Sequence, residues 1–592
     1  MKARLQTLLS QSLSATLTEF GAEAQPAIQL DATKDPKFGD FQTNLALQLA
    51  KPLGKPPRAV AEVLVRHLPA SAEVAKVEIA GPGFINFFLN KAAFQDVVAR
   101  VLDEGDAYGR DDSGTQGRIM VEFVSANPTG PMHVGHGRGA AYGDSIAKLL
   151  AATGWTVWRE YYINDAGRQV DVLAVSVWLR YLQICGEAVD VARRGYPGEY
   201  IKRTASALHE QHGRAFHKPA AEVLAGLPED ARAPDNATDA QKDAAKAQQE
   251  RYLDAIIERT KALLGDGYAL IQRTALDDQL AVIRKTLADF NVGFDQWTSE
   301  KALVDSGFVV KALKRLADKG LTYEKDGALW MKTESFGDEK DRVLVKADGA
   351  ATYFCNDLAY HIDKLDRGWP ILMDVWGADH HGYIARVRAA IEALTDRKDA
   401  LNVQLIQFVT LSSGRMGKRS GNFVTLQDLI DEAGTDATRF FYLTRSHDQH
   451  LEFDIDLARS QSNDNPVYYV QYAHARICRV FEQLRDKGGA WSADAGKAAL
   501  PRLDNEHEKA LLTLLNRYPE MLRKAAAAYT PHTVVFFLKD LAEALHSYYN
   551  QHRFLLDDDA ELQAARLALV QATGQVIRNG LSILGVSAPE KM

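Results

Sequence analysis

The stretch that decides the fold is NPTGPMHVGHGRGAAYGD, Asn127–Asp144. It follows an apolar run, IMVEFVSA (119–126), which predicts a buried strand. It leads into GDSIAKLLAATG (143–154), whose spacing predicts a helix that ends at a glycine. TVWREYY (156–162) predicts a second strand. Strand, helix and strand over about 40 residues form a βαβ unit, and such a unit implies a parallel sheet.

Outward from this unit, the chain predicts a multidomain α/β protein. Residues 1–112 indicate a small α+β domain, because a helical pattern precedes KVEIAGPGFINFFLN, which alternates and turns at Gly81-Pro82-Gly83. Residues 113–460 predict a Rossmann-like parallel-sheet domain with further strands such as ILMDVWGAD. Within it, about 180–300 predicts a mainly helical, charge-rich insertion. Residues 461–592 predict an all-α domain.

Composition argues against several classes of protein. With 592 residues, 46% of them hydrophobic and 25% charged, the chain suits a soluble protein of several domains. A net charge of -8 argues against non-specific coating of nucleic acid. The three cysteines form no C-x-x-C pair, which argues against a disulfide framework and fits the reducing cytoplasm. No apolar run is long enough to span a membrane, so no membrane partner is expected.

Several interpretations of the histidine and glycine pattern compete. His133 and His136 form an H-x-x-H pair, but zinc proteases place their histidines four apart with a carboxylate between them, so no metal site is predicted. Gly135–Ala140 satisfies the dinucleotide pattern, with Glu160 about 20 residues further on, but Asn127–Val134 separates strand from glycine. A nucleotidyl-transfer site also fits, because a helix N-terminus favours anions and histidines can donate to phosphate oxygens. A helix start that the histidines merely cap is the remaining alternative.

Two later segments favour nucleotidyl transfer. FVTLSSGRMGKRSGNFVTLQDLI (408–430) predicts a strand, a glycine-rich loop with Arg415 and Lys418, and a helix start. A mobile basic loop suits a departing pyrophosphate, whose charge grows in the transition state. Trp376–Gly382 lies at a strand end, where Asp379 can accept from a ribose hydroxyl. The three segments together are far more specific than any one of them.

At these residues the sequence resembles the class I aminoacyl-tRNA synthetases. HVGH (133–136) is similar to the HIGH motif of that family, and RMGKR (415–419) to a degenerate KMSKS loop. EFVSANPTGPMHVGHGRGAAYGD, REYYINDAGRQV and TYFCND are similar to segments of the arginyl-tRNA synthetase family in particular. The likeness extends over nearly the whole chain. It implies a class I catalytic domain, an N-terminal additional domain that contacts the outer corner of tRNA, and a helical anticodon-binding domain.

The resemblance also implies residue roles. Glu122 and Asn127 match positions that hold the polar head group of L-arginine, and Tyr353 and Asp357 match the pair that recognises its guanidinium. A carboxylate can take a guanidinium through two parallel N–H bonds, whereas a lysine ammonium binds as a point charge. The residues implied in phosphate charge stabilisation are His133, His136 and Lys418. Those implied in ATP binding are Gly135, Gly377, Asp379, His380, Arg415 and Met416. Those implied in tRNA(Arg) binding are Phe84, Asn86, Tyr468, Tyr472 and Arg476.

The implied reaction joins L-arginine to tRNA(Arg) through arginyl-adenylate and uses ATP and Mg²⁺. The resemblance also implies that the protein has no tightly bound cofactor and is a monomer in the cytoplasm. Two segments depart from the family pattern. The basic loop has Arg415, Gly417 and Arg419 where KMSKS has lysine and serines, so its phosphate role rests mainly on Lys418. The DALR-type segment Asp436–Arg439 has threonine for leucine, and we predict a structural role for this helix start. The rival hypotheses are an adenylyltransferase or another synthetase on the same fold, and a non-catalytic tRNA-binding homologue.

Overall fold

The N-terminal unit packs helices against a small antiparallel sheet. The computed structural model describes residues 2–24, 26–33, 35–412 and 424–592. The elements of this unit are α1 (Lys2–Phe20), β1 (Asp31–Ala32), β2 (Phe41–Thr43), α2 (Leu45–Leu53), α3 (Pro57–Arg66), β3 (Val74–Ala80) and β4 (Phe84–Leu89). The strands pair in the order β1-β2-β4-β3. Apolar side chains of the helices meet the fully buried Ile85 and Phe87 of β4.

The next helix, α4 (Lys91–Glu104), leaves that core. Its Val97 and Val101 are buried in the core that the sheet domain shares with the C-terminal helices. Just beyond it, the hydroxyl of buried Tyr108 donates to the carbonyl of Leu515 at 2.9 Å. The packing core therefore changes between β4 and α4, whereas the sequence places the end of the first domain at residue 112.

A parallel sheet forms the centre of the molecule. From residue 117 to 459 the elements are β5 (Gly117–Glu122), α5 (Val134–Ala151), β6 (Trp155–Ile163), α6 (Arg168–Ile184), α7 (Glu199–His212), α8 (Ala220–Val223), α9 (Asp239–Leu264), α10 (Asp266–Asp289), β7 (Gln296–Ser299), α11 (Glu300–Asp305), α12 (Phe308–Asp318), β8 (Thr322–Lys325), β9 (Ala328–Met331), β10 (Arg342–Val345), α13 (Tyr353–Asp366), β11 (Ile371–Gly377), α14 (Ile384–Thr395), β12 (Leu401–Ile406), β13 (Val409–Leu411), α15 (Leu426–Ala433), α16 (Thr435–Tyr442), β14 (Leu451–Phe453) and α17 (Ile455–Arg459). The central sheet has the order β12-β11-β5-β6-β7, with every pairing parallel.

The connections that follow two neighbouring strands of this sheet run in opposite directions along it. β5 is followed by α5 and β6 on one side, and β11 by α14 and β12 on the other. Their register pairs Asp374 with Glu122, so the loops that leave both strands open at the same edge. In open α/β sheets, ligands bind in the crevice outside the carboxyl ends of the strands at such a point. The topology therefore locates a candidate site between these two loops.

The strand and helix of the first βαβ unit differ in length from the sequence prediction. β5 ends at Glu122 rather than at 126, because Val124 and Ser125 have positive φ values of 69° and 39°. The Ser125 N–H donates to the carbonyl of Phe123 at 3.0 Å, which closes a tight turn. α5 begins at Val134 rather than near 143. Its glycines do not break it; they allow close packing, since a Cβ on Gly137 would lie 2.6 Å from Leu426 Cδ1.

Other predicted strands lie outside the central sheet. ALWMKT and RVLVKADG contribute β9 and β10 to a separate antiparallel sheet in the order β10-β9-β8. The edge strand β7 was not predicted, because the sequence indicated helix up to about residue 300. The insertion itself is helical from α6 to α10 and has its own core around the fully buried Trp178 and Ile271.

The C-terminal region is helical, as predicted. Its helices are α18 (Pro466–Asp486), α19 (Ala493–Ala498), α20 (Glu506–Ala527), α21 (His532–Gln551) and α22 (Ala560–Leu584). The multidomain α/β fold with a parallel sheet, a helical insertion and a helical C-terminal domain is therefore confirmed. Of the helices in the described ranges, none combines the length and apolar character that a bilayer crossing requires.

The segment Asp436–Arg439 holds these parts together. Arg439 is fully buried, and its guanidinium donates to the carbonyls of Leu584 and Phe290 at 2.9 Å each. It also pairs with the buried carboxylate of Asp144 in α5. One side chain thus joins the central helix, the end of the insertion and the last helix, which agrees with the predicted structural role.

Candidate active site

His133 and His136 lie at the N-terminus of α5 and cap it. Nδ1 of His133 accepts the Gly135 N–H at 3.0 Å, and Nδ1 of His136 accepts the His133 N–H at 3.2 Å. The two rings stack with their centroids 3.6 Å apart. Because Nδ1 is the acceptor in both, each neutral ring carries its proton on Nε2 and keeps that N–H as a donor for a ligand. Capping and phosphate binding are therefore compatible interpretations of the same histidines.

The electrostatics of the two rings follow from their packing. Burial lowers the pKa of His133. Burial and the neighbouring His133 lower the pKa of His136 to about 3. Both rings are therefore neutral at pH 7 without ligand, and the positive potential at this point comes from the N-terminus of α5. Gly135 allows the His133 ring to fold back, since a Cβ there would lie 2.9 Å from the ring carbon Cε1.

Both ends of the predicted phosphate loop are fixed to α5 and the segment before it. On the N-terminal side, Arg138 donates to the carbonyl of Gln407 at 3.0 Å. On the C-terminal side, the Leu426 N–H donates to the carbonyl of Met132 at 2.8 Å. The described segments on either side of residues 413–423 are therefore held close to the histidines. The predicted residues Arg415, Met416 and Lys418 fall in 413–423, outside the described residues, and their roles stay predictions.

The predicted adenosine residues follow β11 directly. Gly377, Asp379 and His380 are exposed at the carboxyl edge of the sheet, next to the loop that leaves β5. A Cβ on Gly377 would lie 2.4 Å from Oδ1 of Asp379, so glycine lets this carboxylate fold against the backbone. Nε2 of His380 lies 3.7 Å from Oδ2 of Asp379. An exposed carboxylate at this edge is available to hydroxyl donors.

Tyr353 and Asp357 lie one turn apart at the start of α13, as their spacing predicts. The Tyr353 side chain is 65% exposed, whereas Asp357 is half-buried. Oδ2 of Asp357 is a buried atom without a hydrogen bond of ordinary geometry from the described residues, and the same holds for the hydroxyl of Tyr383. The two groups are neighbours, since burial and the carboxylate of Asp357 raise the pKa of Tyr383. Buried polar atoms are normally hydrogen-bonded, so an unpaired carboxylate oxygen indicates a missing donor.

Sequence analysis missed a further carboxylate in this region, that of Glu300. It begins α11 directly after β7 and is 6% exposed, with Nδ2 of Asn356 at 3.4 Å from Oε1. Burial raises the pKa of Glu300. Partial burial and the negative charges of Asp357, Glu300 and Glu122 raise the pKa of Tyr353. Several carboxylates thus surround one tyrosine, which suits a cationic ligand. A prediction of β7 would have indicated Glu300 as a strand-end acid.

The predicted head-group residues differ in access. Glu122 ends β5, and its oxygens accept from the hydroxyl of Ser125 at 2.9 Å and from Nζ of Lys364 at 2.5 Å. Burial raises the pKa of Glu122, and the ammonium of Lys364 offsets only part of that effect. Asn127 is exposed, and its Oδ1 accepts from Nδ2 of Asn164 at 2.9 Å. Asn127 is therefore the more accessible of the two.

The structure contradicts the dinucleotide interpretation at Glu160. This carboxylate is fully buried and takes two N–H bonds from Arg367, each at 2.7 Å. The hydroxyls of Thr298 and Tyr360 also donate to it at 2.8 and 2.9 Å. Glu160 is an internal ion-pair partner and has no free acceptor for a ribose.

The predicted RNA residues of α18 form a row of rings with a guanidinium. The Tyr468 and Tyr472 rings stack with centroids 5.7 Å apart. The Arg476 guanidinium lies 4.7 Å from the ring of Tyr472 and 4.7 Å from that of Tyr549. Tyr548, which precedes Tyr549 in α21, is instead fully buried, and its hydroxyl donates to the carboxylate of Glu508 at 2.8 Å.

The predicted RNA residues of the first domain lie on the inner strand β4. Phe84 is half-buried, so its ring is partly open to a ligand. Asn86 is only 2% exposed, and its buried Oδ1 has no partner among the residues that the structure describes. A base contact at Asn86 stays a prediction that this burial does not favour.

Comparison with known proteins identifies the family. Three family models match: "Arginyl tRNA synthetase N terminal domain" at 3–89, "tRNA synthetases class I (R), catalytic domain" at 97–184 and 269–452, and "DALR anticodon binding domain" at 470–592. The chain is 50% identical over 599 residues to the arginine--tRNA ligase of Hydrogenovibrio crunogenus, with 100% of both chains covered. It is 50% identical over 600 residues to that of Halorhodospira halophila, again with 100% of both covered. The solved Thermus thermophilus arginyl-tRNA synthetase shares the fold, with a TM-score of 0.73 at 24% identity over 100% of both chains. The chain belongs to the arginyl-tRNA synthetase family of class I enzymes, which attach arginine to tRNA at the expense of ATP.

Proposed function

We propose that the guanidinium of arginine binds at the start of α13, where Asp357 accepts its N–H groups and Tyr353 and Glu300 flank it. The observation that supports this most is the buried Oδ2 of Asp357, which has no hydrogen bond of ordinary geometry from the described residues, with the hydroxyl of Tyr383 as the neighbouring polar group. A guanidinium offers a rigid fork of donors that a lysine ammonium cannot reproduce. The clustered carboxylates add a negative potential that favours any cation, so Asp357 supplies the selectivity and its neighbours supply affinity.

The head group of arginine is assigned to Asn127 and Glu122, at the end of β5. The accessible amide of Asn127 can bond the substrate directly. Glu122 adds a negative charge close by for the α-ammonium, although both of its oxygens already have protein donors. This arrangement leaves the substrate carboxylate free to react.

In the first step, the arginine carboxylate attacks the α-phosphorus of ATP in line. A new P–O bond forms, the bond to the pyrophosphate oxygen breaks, and arginyl-adenylate and pyrophosphate result. Nε2–H of His133 and of His136 donate to phosphate oxygens, and Lys418 neutralises charge on the leaving pyrophosphate. Pre-organised donors of this kind lower the barrier without taking part covalently. The ATP contacts proposed around them are Gly135, Gly377, Asp379, His380, Arg415 and Met416.

Mg²⁺ is proposed to enter with ATP as part of the substrate. In the described part of the chain, no group of three or more His, Cys, Asp and Glu side chains is arranged to hold a metal ion. In the second step, the 3′-terminal ribose hydroxyl of tRNA(Arg) attacks the adenylate carbonyl carbon and AMP leaves. We further propose that the protein acts as a monomer in the cytoplasm. The free cysteines Cys185, Cys355 and Cys478 are compatible with that reducing compartment.

Anticodon bases are proposed to stack on the row formed by Tyr468, Tyr472, Arg476 and Tyr549. Unpaired bases are bound by aromatic rings and guanidinium planes in this way. A cleft of about 450 Å³, lined by Tyr468 and Met592 among others, adjoins the row and can receive a base. Phe84 and Asn86 are proposed to contact the outer corner of the tRNA.

Arginine activation is proposed to require bound tRNA. A direct contact supports such coupling: the hydroxyl of Tyr200 in the insertion helix α7 donates to the carbonyl of Thr129 at 3.0 Å. A Cβ on Gly130 would lie 2.9 Å from the same hydroxyl. The insertion thus touches the loop between β5 and the histidines, and a tRNA that moves the insertion also moves that loop.

The test is arginine-dependent ATP–pyrophosphate exchange, with and without tRNA(Arg), and with lysine in place of arginine. Exchange with arginine and tRNA only is the expected result. Exchange without tRNA would remove the coupling but keep the chemistry. His136→Ala is expected to slow activation by about 2–4 kcal/mol in barrier height, as for loss of a pre-organised donor. An unchanged rate in that variant would refute the phosphate role.

A further inference from the structure

A chain of buried acids and bases joins the two ends of the proposed arginine site. Oε2 of Glu122 lies 2.5 Å from Nζ of Lys364, and the same Nζ lies 3.0 Å from Oδ1 of Asp374. The other oxygen of Asp374 lies 2.8 Å from Nε2 of His361. Nδ1 of His361 lies 2.8 Å from the backbone carbonyl oxygen of Asp357 and 3.4 Å from its Oδ1. Acidic and basic groups therefore alternate from Glu122 to Asp357.

The contacts of His361 favour an imidazolium. A backbone carbonyl can only accept, so the nitrogen that faces Asp357 must carry a proton. Asp374 is ionised between two cations, since Lys364 and His361 outweigh its burial and lower its pKa to about 2. The second nitrogen of His361 therefore also donates. Burial and Lys364 favour the neutral ring, but Asp357 and Asp374 outweigh them and raise the pKa of His361 to about 10.

The imidazolium leaves one oxygen of Asp357 available to a ligand. The imidazolium lies beside the backbone carbonyl and Oδ1, whereas Oδ2 is buried without a hydrogen bond of ordinary geometry from the described residues, and the hydroxyl of Tyr383 faces the same carboxylate. Contact of the imidazolium with two atoms of Asp357 restricts the orientation of that carboxylate. A neutral imidazole would donate from one nitrogen only, so either Oδ2 of Asp374 or the acceptors of Asp357 would lose this donor.

We propose that His361 is a positioning residue for the selection of arginine: its imidazolium holds the carboxylate of Asp357 in a fixed orientation, with one oxygen presented to the guanidinium. The proposal rests on the assignment of Asp357 to the guanidinium. His361 acts through Asp357 and far along the substrate from the reacting carboxylate. Its removal therefore weakens the binding of arginine in the ground state and the transition state alike, which changes KM for arginine and leaves kcat and KM for ATP unchanged.

The test is a double-mutant cycle of His361→Gln and Asp357→Asn, measured by ATP–pyrophosphate exchange with tRNA present. His361→Gln is expected to raise KM for arginine roughly 10- to 100-fold, the range for one lost hydrogen bond to a charged group. In the Asp357→Asn background, His361→Gln is expected to change KM for arginine by less than about threefold, because the carboxylate that His361 positions is already absent. The matched control is His474→Gln. His474 is 5% exposed and also faces a backbone carbonyl, that of Pro589 at 3.0 Å, but lies in α18, so KM for arginine should not change.

Two results would overturn the proposal: an unchanged KM for arginine in His361→Gln, or an effect of equal size with and without Asp357→Asn. Failure of the guanidinium assignment is distinguishable, because Asp357→Asn alone would then leave KM unchanged. If His361→Gln does not fold, as judged by far-ultraviolet circular dichroism, Asp374→Asn takes its place in the cycle. That variant removes the negative charge opposite Nε2 that favours the imidazolium, and the same pattern of KM values is expected.

Discussion

Replacing Asp357 by asparagine keeps the shape of the side chain and removes the charge that the guanidinium site is proposed to use. Loss of one member of a buried, hydrogen-bonded charge pair costs about 2–5 kcal/mol. Asp357 is half-buried with one fully buried oxygen, and Glu300 retains its carboxylate nearby, so the lower part of that range applies. A loss of about 2–3 kcal/mol corresponds to a decrease of roughly 30- to 160-fold in kcat/KM for arginine.

The assay is ATP–pyrophosphate exchange with saturating tRNA, in which arginine and ATP are titrated separately. The loss should lie in KM for arginine, with kcat and KM for ATP close to those of the unsubstituted protein, because the guanidinium contact is made equally in the ground and transition states. The preference for arginine over lysine should fall by the same factor. A kcat/KM for arginine within about threefold of the original, well below one tenfold step of 1.36 kcal/mol, would refute the reasoning.

Three further predictions concern stability. Arg439→Met should lower the free energy of unfolding by about 3 kcal/mol, the lower end of the range for a broken buried ion pair, because Lys148 still pairs with Asp144 at 2.7 Å. The urea midpoint measures this loss. Gly137→Ala should lower the free energy of unfolding by about 1–3 kcal/mol, because the new Cβ overpacks the helix. The control is Gly139→Ala in the same helix, where no atom lies within 4 Å of the new Cβ, and it should not lower the thermal midpoint. Equal thermal midpoints for the two variants would contradict the packing argument. Because the pKa of His361 is raised to about 10, its stabilisation is complete below the unfolded-state pKa and is lost as the pH rises towards 10. Urea titrations should therefore show a smaller loss of stability from pH 7 to pH 10 in His361→Gln, and an unchanged slope would exclude the imidazolium.

Much of the fold could be predicted because its signals are local. The apolar run before Asn127, the alanine-rich helix after it and the strand TVWREYY fix a βαβ unit within one stretch of chain, and a parallel sheet follows. The same holds for Tyr353 and Asp357, whose spacing alone places them on one face of a helix. The predicted end of β5 was wrong because the backbone turns before the apolar run ends. The strand stops early at the positive φ values of Val124 and Ser125, which the apolar pattern does not predict.

The sequence by itself determined the family, the order of the segments that carry the chemistry, and most of the residues now proposed for the active site. It could do so because each short motif is contiguous in the sequence. Only the tertiary structure decided that β11 lies beside β5, that Glu300 joins the carboxylates around Tyr353, and that Glu160 is already paired. Contacts such as Lys364 to Glu122 join residues 242 positions apart. Strand order and buried ion pairs depend on which distant side chains come together in the low-dielectric interior. The spacing of residues along the chain does not predict which side chains these are.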